Sequence, residues 1–133
     1  MCPIIAMVFL TFIVTIKMYL TRADAIKRGD LDIKFFRVLD SFNVPEDVAK
    51  VTRHYTNLYE MPVLFYLGAV LILTLKIDDV TFAIIGWLYV FCRIAHAYIH
   101  ITYNKIGHRI RVFQLSVYVL ITLWIKICYH VVI

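Results

Sequence analysis

Four long apolar runs dominate this sequence, at residues 4–20, 58–75, 80–103 and 112–132. Each run reaches the roughly 17–25 residues that a helix needs to cross the hydrocarbon core of a bilayer. The chain is 62% hydrophobic, whereas soluble domains are about 45–50% apolar. The sequence therefore predicts an all-α integral membrane protein, with a single four-helix transmembrane domain over residues 1–133.

The basic residues predict the orientation of the bundle. Seven of the fourteen Lys and Arg residues lie in the polar loop 21–54, three lie in the link 104–111, and the link 76–79 holds only Lys76. Loops rich in Lys and Arg stay on the cytoplasmic side. We therefore expect a cytoplasmic loop 21–54, and both termini on the non-cytoplasmic side.

The net charge of +5 raises the question of nucleic-acid binding. Nucleic-acid-binding proteins gather basic residues on one solvated face, whereas here they flank the apolar runs. The bilayer, and no nucleic acid, is the expected partner.

The second helix is expected to begin well before its apolar run. Asn43, Pro45 and Glu46 have the order of a helix cap, a first-turn proline and a first-turn acid, which predicts a start near Val44. A helix from there to the end of the run would be roughly 48 Å long at 1.5 Å per residue. Its first third should project from the membrane.

A polar stripe interrupts the third apolar run. Arg93, His96 and His100, here called the Arg93 stripe, fall within about 60° of one another on a helix. Ionisable groups at membrane depth are costly, and they usually face a bundle interior, a partner charge or a wet cavity. The Arg93 stripe is therefore a candidate functional site.

A second stripe lies at the start of the second run. Arg53, Asn57 and Glu60, the Arg53 stripe, are spaced i, i+4 and i+7 and also share one helix face. Both stripes should lie at the cytoplasmic ends of their helices and meet at one depth. A carboxylate in the bilayer is stabilised by a cation, so Glu60 is expected to pair with Arg93 or another cation.

These motifs resemble a known family. The spacing Arg-x-x-x-Asn-x-x-Glu from Arg53 to Glu60, followed by Arg93-x-x-His96 and a basic third link, resembles the MAPEG family, the membrane-associated proteins of eicosanoid and glutathione metabolism. The resemblance spans the whole chain, from Ile16 to the fourth helix. The segment His100-x-Thr-Tyr-Asn104 is most similar to bacterial members, which implies a multi-pass inner-membrane protein.

The resemblance implies a homotrimer with glutathione as co-substrate, bound between subunits near the cytoplasmic side. It assigns the glutathione-binding positions to both stripes: Arg53, Asn57, Glu60, Arg93, His96 and His100. His100 stands where characterised members usually carry a tyrosine, and both side chains keep a hydrogen-bonding ring.

The resemblance also implies a catalytic role for Arg109, with Arg111 as the alternative. A cation beside the glutathione sulfur favours the thiolate, which attacks a lipophilic electrophile or peroxide from the bilayer. The implied activity is that of a glutathione transferase or peroxidase. Ile110 and Val112 follow the two arginines where the prostaglandin-synthesising members have a serine, so prostaglandin synthesis is not predicted.

Two alternatives come from other classes. The family also contains a non-enzymatic member, so a structural or lipid-binding membrane protein, with Glu60 and Arg93 locking the bundle, is one alternative. A metal site is the other, because His96 and His100 are one turn apart and His108 is near. Arginine beside this pair would repel a metal cation, so the prediction includes no metal.

Overall fold

The computed structural model describes residues 2–31 and 44–132. It contains four helices, α1 (Cys2–Lys27), α2 (Glu46–Thr74), α3 (Val80–Ile101) and α4 (Ile106–Val132), and no strand in the described ranges. All four helices are long and apolar enough to cross a membrane. The predicted all-α, four-helix membrane protein is thereby confirmed, while the side on which its termini lie remains a prediction.

Three of the four helices, α1, α2 and α4, extend beyond their apolar runs at the end of the bundle that carries the basic links. α1 continues to Lys27, and α2 begins at Glu46 after Pro45. The 29 residues of α2 span about 44 Å, and Pro62 lies inside the helix without ending it. Asn43, the expected cap, and residues 32–42 before it lie outside the described residues.

Pairs of helices form the bundle. α1 packs mainly against α2, and α3 packs mainly against α4. The contact between α2 and α3 is the least extensive of those observed, although a short turn joins these helices. Polar residues at their facing surfaces contribute to that contact, as described below.

The turn between α2 and α3 is held by Asp79. Its side chain caps α3 by accepting hydrogen bonds from the Thr81 backbone N–H and hydroxyl, at 2.8 and 2.7 Å. Lys126 Nζ lies 2.7 Å from Asp79 Oδ2, and His130 Nε2 lies 3.4 Å from the same oxygen. The last turns of α4 are thereby tied to the start of α3.

Apolar side chains fill the centre of the bundle and also cover its outside. The buried cluster draws on all four helices and consists of Met7, Val14, Leu58, Phe65, Phe82, Tyr89, Val90, Val119, Leu120, Leu123 and Ile127. Large apolar residues such as Phe12, Phe91 and Ile125 are exposed on the outer surface. A bundle with an apolar exterior fits a hydrocarbon environment.

Candidate functional site

The Arg93 stripe faces the inside of the bundle. Arg93, His96 and His100 are 0%, 2% and 1% exposed. The amphipathic spacing turns all three toward the other helices, while Ile94 and Tyr98 on the opposite face of α3 are exposed. These three polar side chains are thus part of the core of a single subunit.

Arg93 is a buried cation with few partners. Its Nη2 donates a 3.0 Å hydrogen bond to the backbone carbonyl of Asn57, while Nε and Nη1 are buried without a hydrogen-bond partner in the described chain. The Phe113 ring centroid lies 5.9 Å from the guanidinium carbon, within the range of a cation–π contact. The hydrogen bond to Asn57 joins α3 to α2.

The Arg53 stripe lies toward the outside of the single subunit. Arg53 and Glu60 are exposed on the outside of α2, and Asn57 is partly buried. No ion pair joins Glu60 to Arg93 in the ranges that the structure describes. Glu60 and Arg93 do not pair within one subunit, because the face of α2 directed at α3 is centred about 100° away from Arg53, on His54; a cationic partner for Glu60 from a neighbouring subunit stays a prediction.

His54 is the site residue that the sequence reasoning missed. It is 0% exposed and lies on the buried stripe of α2 with Val51 and Leu58. The spacing of these three residues at i, i+3 and i+7 was the available signal, since it places His54 among apolar positions of one helix face. Arg53, its neighbour in the chain, lies on a different face of the helix, and the sequence analysis assigned the site to that face.

Three imidazole rings meet where α2 and α3 touch. The ring centroid of His54 lies 4.9 Å from that of His100 and 5.7 Å from that of His96, and the latter two are 5.9 Å apart. We call these three residues the imidazole cluster. The structure therefore adds one histidine to the two of the Arg93 stripe.

Arg109 connects the imidazole cluster to the link between α3 and α4. It lies in the first turn of α4, partly buried, and its Nη1 donates to Asn104 Oδ1 at 3.0 Å. The same Nη1 lies 3.5 Å from His100 Nε2. Arg111 is exposed, so of the two candidate arginines it is Arg109 that reaches the cluster.

Two adjoining pockets share Arg109 and Asn57. The larger has a volume of about 320 Å³ and the smaller about 180 Å³. The larger is lined by Thr52, Arg53, Thr56, Asn57, His100 and Arg109, and the smaller by Asn57, His96, Arg109, Ile110 and Phe113. Five of the seven predicted site residues thus line one region, whereas Arg93 and Glu60 line neither pocket.

The histidines do not form a metal-binding group in the described part of the chain. No set of three or more His, Cys, Asp or Glu residues there has an arrangement that could hold a metal ion. His108 lies apart from the cluster, with its Nδ1 3.2 Å from the hydroxyl of Tyr103. The metal-site alternative therefore gains no support from the structure.

The chain was compared with curated proteins, with solved structures and with sequence models of protein families. No curated protein and no solved structure matches it. The sequence model of the MAPEG family matches residues 1–129, a range that contains both polar stripes, His54 and Arg109. The resemblance seen in the sequence is thereby confirmed, and the protein belongs to the MAPEG family.

Proposed function

We propose that the protein binds glutathione in the two adjoining pockets and acts as a glutathione transferase or peroxidase on lipophilic substrates. The observation that carries this proposal is the position of Arg109, which lines both pockets together with side chains from α2 and α3. MAPEG proteins generally use glutathione. Even without the smaller pocket, the larger pocket has a volume within the range of about 300–1,000 Å³ that is typical of small-molecule sites.

The charges of the region suit an anionic peptide. Arg53 and Arg109 line the larger pocket, and a further recess of about 100 Å³ adds Lys50, together with the acidic Glu46, beside both arginines. Glutathione carries two carboxylates, and an arginine fork can bind a carboxylate through two parallel hydrogen bonds. We therefore assign carboxylate binding to Arg53, and hydrogen bonding to Asn57, His96 and His100.

Arg109 has a separate role in this proposal. Its cationic group, placed beside the glutathione sulfur, favours the thiolate over the thiol and so increases the nucleophile. In the transferase reaction the sulfur forms a bond to an electrophilic carbon, and the leaving group departs with the bonding electrons. In the peroxidase reaction the thiolate sulfur forms a bond to one peroxide oxygen as the O–O bond breaks, and the departing alkoxide takes up a proton to become an alcohol. The glutathione sulfenic acid that remains condenses with a second glutathione thiol, which gives glutathione disulfide and water.

The second substrate would arrive from the bilayer. The outer surface of the bundle is apolar, with exposed Phe12, Phe91 and Tyr118, and it is the surface that a lipophilic molecule meets first. Arg53 and Glu60 also face outward. MAPEG proteins are generally trimers, and we propose a homotrimer in which a neighbouring subunit covers this face of α2.

A glutathione titration tests the ligand assignment. Calorimetry on the detergent-purified protein should give binding heat for the wild type, and Arg53→Ala should weaken binding roughly tenfold or more because a charged hydrogen-bond partner is lost. Arg111→Ala is the matched control, since Arg111 is exposed and lines neither pocket. No heat at millimolar glutathione, with the oligomer intact, would overturn the proposal.

We also propose that the basic links face the cytoplasm. A membrane-impermeant thiol reagent added to intact cells should then label Cys2, which is exposed, in a variant with the other two cysteines replaced. A cysteine introduced by Lys105→Cys should react only after permeabilisation. The reverse pattern would place the glutathione pockets on the opposite side of the membrane.

A further inference from the structure

His54 is a polar side chain in an apolar position. It is fully buried, and neither of its ring nitrogens has a hydrogen-bond partner in the described chain. Leaving both nitrogens without partners costs free energy that a leucine of similar size would not cost. Such a departure from apolar packing is expected where a side chain serves function.

The contact between Arg109 and His100 favours one polarity of the His100 ring. An arginine side chain can only donate hydrogen bonds. Because Arg109 Nη1 lies 3.5 Å from His100 Nε2, this long contact favours Nε2 as the acceptor without fixing it. The ring proton then resides on Nδ1, which is buried and has no partner among the described residues.

His54 is the nearest imidazole that could accept this proton in a hydrogen bond. The His54 and His100 centroids are 4.9 Å apart, close to the separation of about 5 Å expected for two imidazole rings that share an N–H···N bond of about 3 Å. His96 is more distant from His100, at 5.9 Å, and is tilted by 63°. Rotation of a histidine ring about its last side-chain bond has a broad energy minimum, so the N–H···N bond requires a change in ring angle and no movement of the backbone.

We propose that His54 is a positioning residue that keeps the ring proton of His100 on Nδ1. Nε2 of His100 is then held as a hydrogen-bond acceptor that faces Arg109 and the larger pocket. On ligand binding, a donating group such as an ammonium takes this acceptor in place of the 3.5 Å contact from Arg109, which leaves the guanidinium for the sulfur. This choice of ligand group rests on the proposed glutathione function, whereas the position of the ring proton does not.

The position of the proton can be measured directly. Long-range proton–nitrogen NMR spectra of histidine-labelled protein distinguish the two neutral ring forms, and His100→Gln identifies the His100 signals among those of the five histidines. We expect the Nδ1–H form at His100 in the wild type. His54→Leu and His54→Phe, which remove both nitrogens, should shift His100 toward the Nε2–H form, and His54→Gln should not.

The His100 spectrum can also overturn the proposal. It fails if wild-type His100 carries its proton on Nε2, or if His100 is unchanged in the folded leucine and phenylalanine variants. His108→Leu is the matched control, because His108 contacts Tyr103 outside the cluster and should leave the His100 signals unchanged. Should the leucine variant fail to fold, the phenylalanine variant retains a flat ring in the same space.

Ligand affinity separates positioning from simple packing. His54→Leu should weaken glutathione binding about fivefold, the effect of one lost net hydrogen bond, while its thermal midpoint stays equal or rises. A variant that loses stability and affinity together would indicate a packing role and contradict the proposal. If the NMR shift occurs and the wild type binds no glutathione, the proposed function fails and the role of His54 in placing the proton stands.

Discussion

Arg93 is poorly suited to a purely structural role. It is fully buried, it makes one hydrogen bond to a backbone carbonyl, and no carboxylate in the described ranges pairs with it. A buried charge without a counter-ion is unfavourable. An anionic ligand bound in the neighbouring pockets would offset that charge, which supports the glutathione assignment over a bundle held together by an ion pair.

Substitution of Arg109 tests whether this residue stabilises the glutathione thiolate. We expect Arg109→Ala to retain glutathione binding but to reduce the ultraviolet thiolate signal at neutral pH roughly tenfold, because a nearby cation stabilises the anionic sulfur. Arg111→Ala should leave the signal unchanged. An unaltered thiolate signal in Arg109→Ala would remove this residue from the catalytic assignment.

Among the helices, Asp79 joins the start of α3 to the last turns of α4 and makes their association dependent on pH. The hydrogen bond from Lys126, followed by those from the Thr81 side chain and backbone, holds the pKa of Asp79 well below its usual range. The folded protein therefore favours the ionised carboxylate. The resulting stabilisation is complete above the unfolded-state pKa of about 3.9 and is lost as pH falls toward the folded-state pKa.

Asp79→Asn should reveal this contribution in thermal unfolding. The variant should unfold at a lower temperature than the wild type at pH 7, and the difference should shrink as pH is lowered from about 5 to 3. Asp78→Asn, which changes an exposed carboxylate in the same turn, is the control. A difference that stays constant over this pH range would show that the ion pair with Lys126 contributes no pH-dependent stability.

Gly86 allows α1 and α3 to approach closely. A Cβ atom added there would lie 3.3 Å from both Cβ and Cγ of Pro3, and a proline ring cannot turn aside as a flexible side chain can. Small residues serve this purpose at helix contacts in membranes. Gly86→Val should lower the free energy of unfolding by about 1–3 kcal/mol through overpacking.

Gly107 supplies the control for this packing test. An added Cβ at Gly107 meets nothing within 4 Å, so Gly107→Ala should leave the thermal midpoint unchanged or raise it slightly. Equal midpoints for Gly86→Val and the wild type would mean that α1 shifts away from α3 without loss of stability.

The elements also show what the sequence could determine. The apolar runs predicted all four helices, because the bilayer requires long hydrocarbon-facing segments. The rotation of α2 was less clearly indicated, although the apolar spacing of Val51 and Leu58 around His54 was one signal for it. In a soluble helix, polar residues mark the outer face and apolar residues mark the inner face. Both faces of α2 carry apolar and polar residues. Arg53 has helical spacing to Asn57 and Glu60, just as His54 has to Val51 and Leu58. Only packing against α3 shows that His54 is the inward-facing residue.

One subunit places most of the polar site residues around its own pockets but leaves Glu60 exposed on its outer surface. His96, His100, Asn57 and Arg109 line pockets within a single bundle, whereas Glu60 faces outward on α2 beside exposed apolar side chains such as Leu64. A carboxylate exposed to hydrocarbon is costly. A homotrimer resolves this if the neighbouring subunit covers α2 and provides a donor or cation for Glu60.

Glu60→Leu therefore tests the assembly and the site together. If Glu60 faced lipid, leucine would stabilise the protein and leave ligand binding intact. If it faces a neighbouring subunit at the glutathione site, the variant should bind glutathione roughly tenfold or more weakly, since a charged hydrogen-bond partner is lost. Native mass spectrometry should also show less trimer relative to monomer. Leu64→Ala, one turn further along the same face, should change neither quantity by as much, because it removes apolar contact without removing a charge.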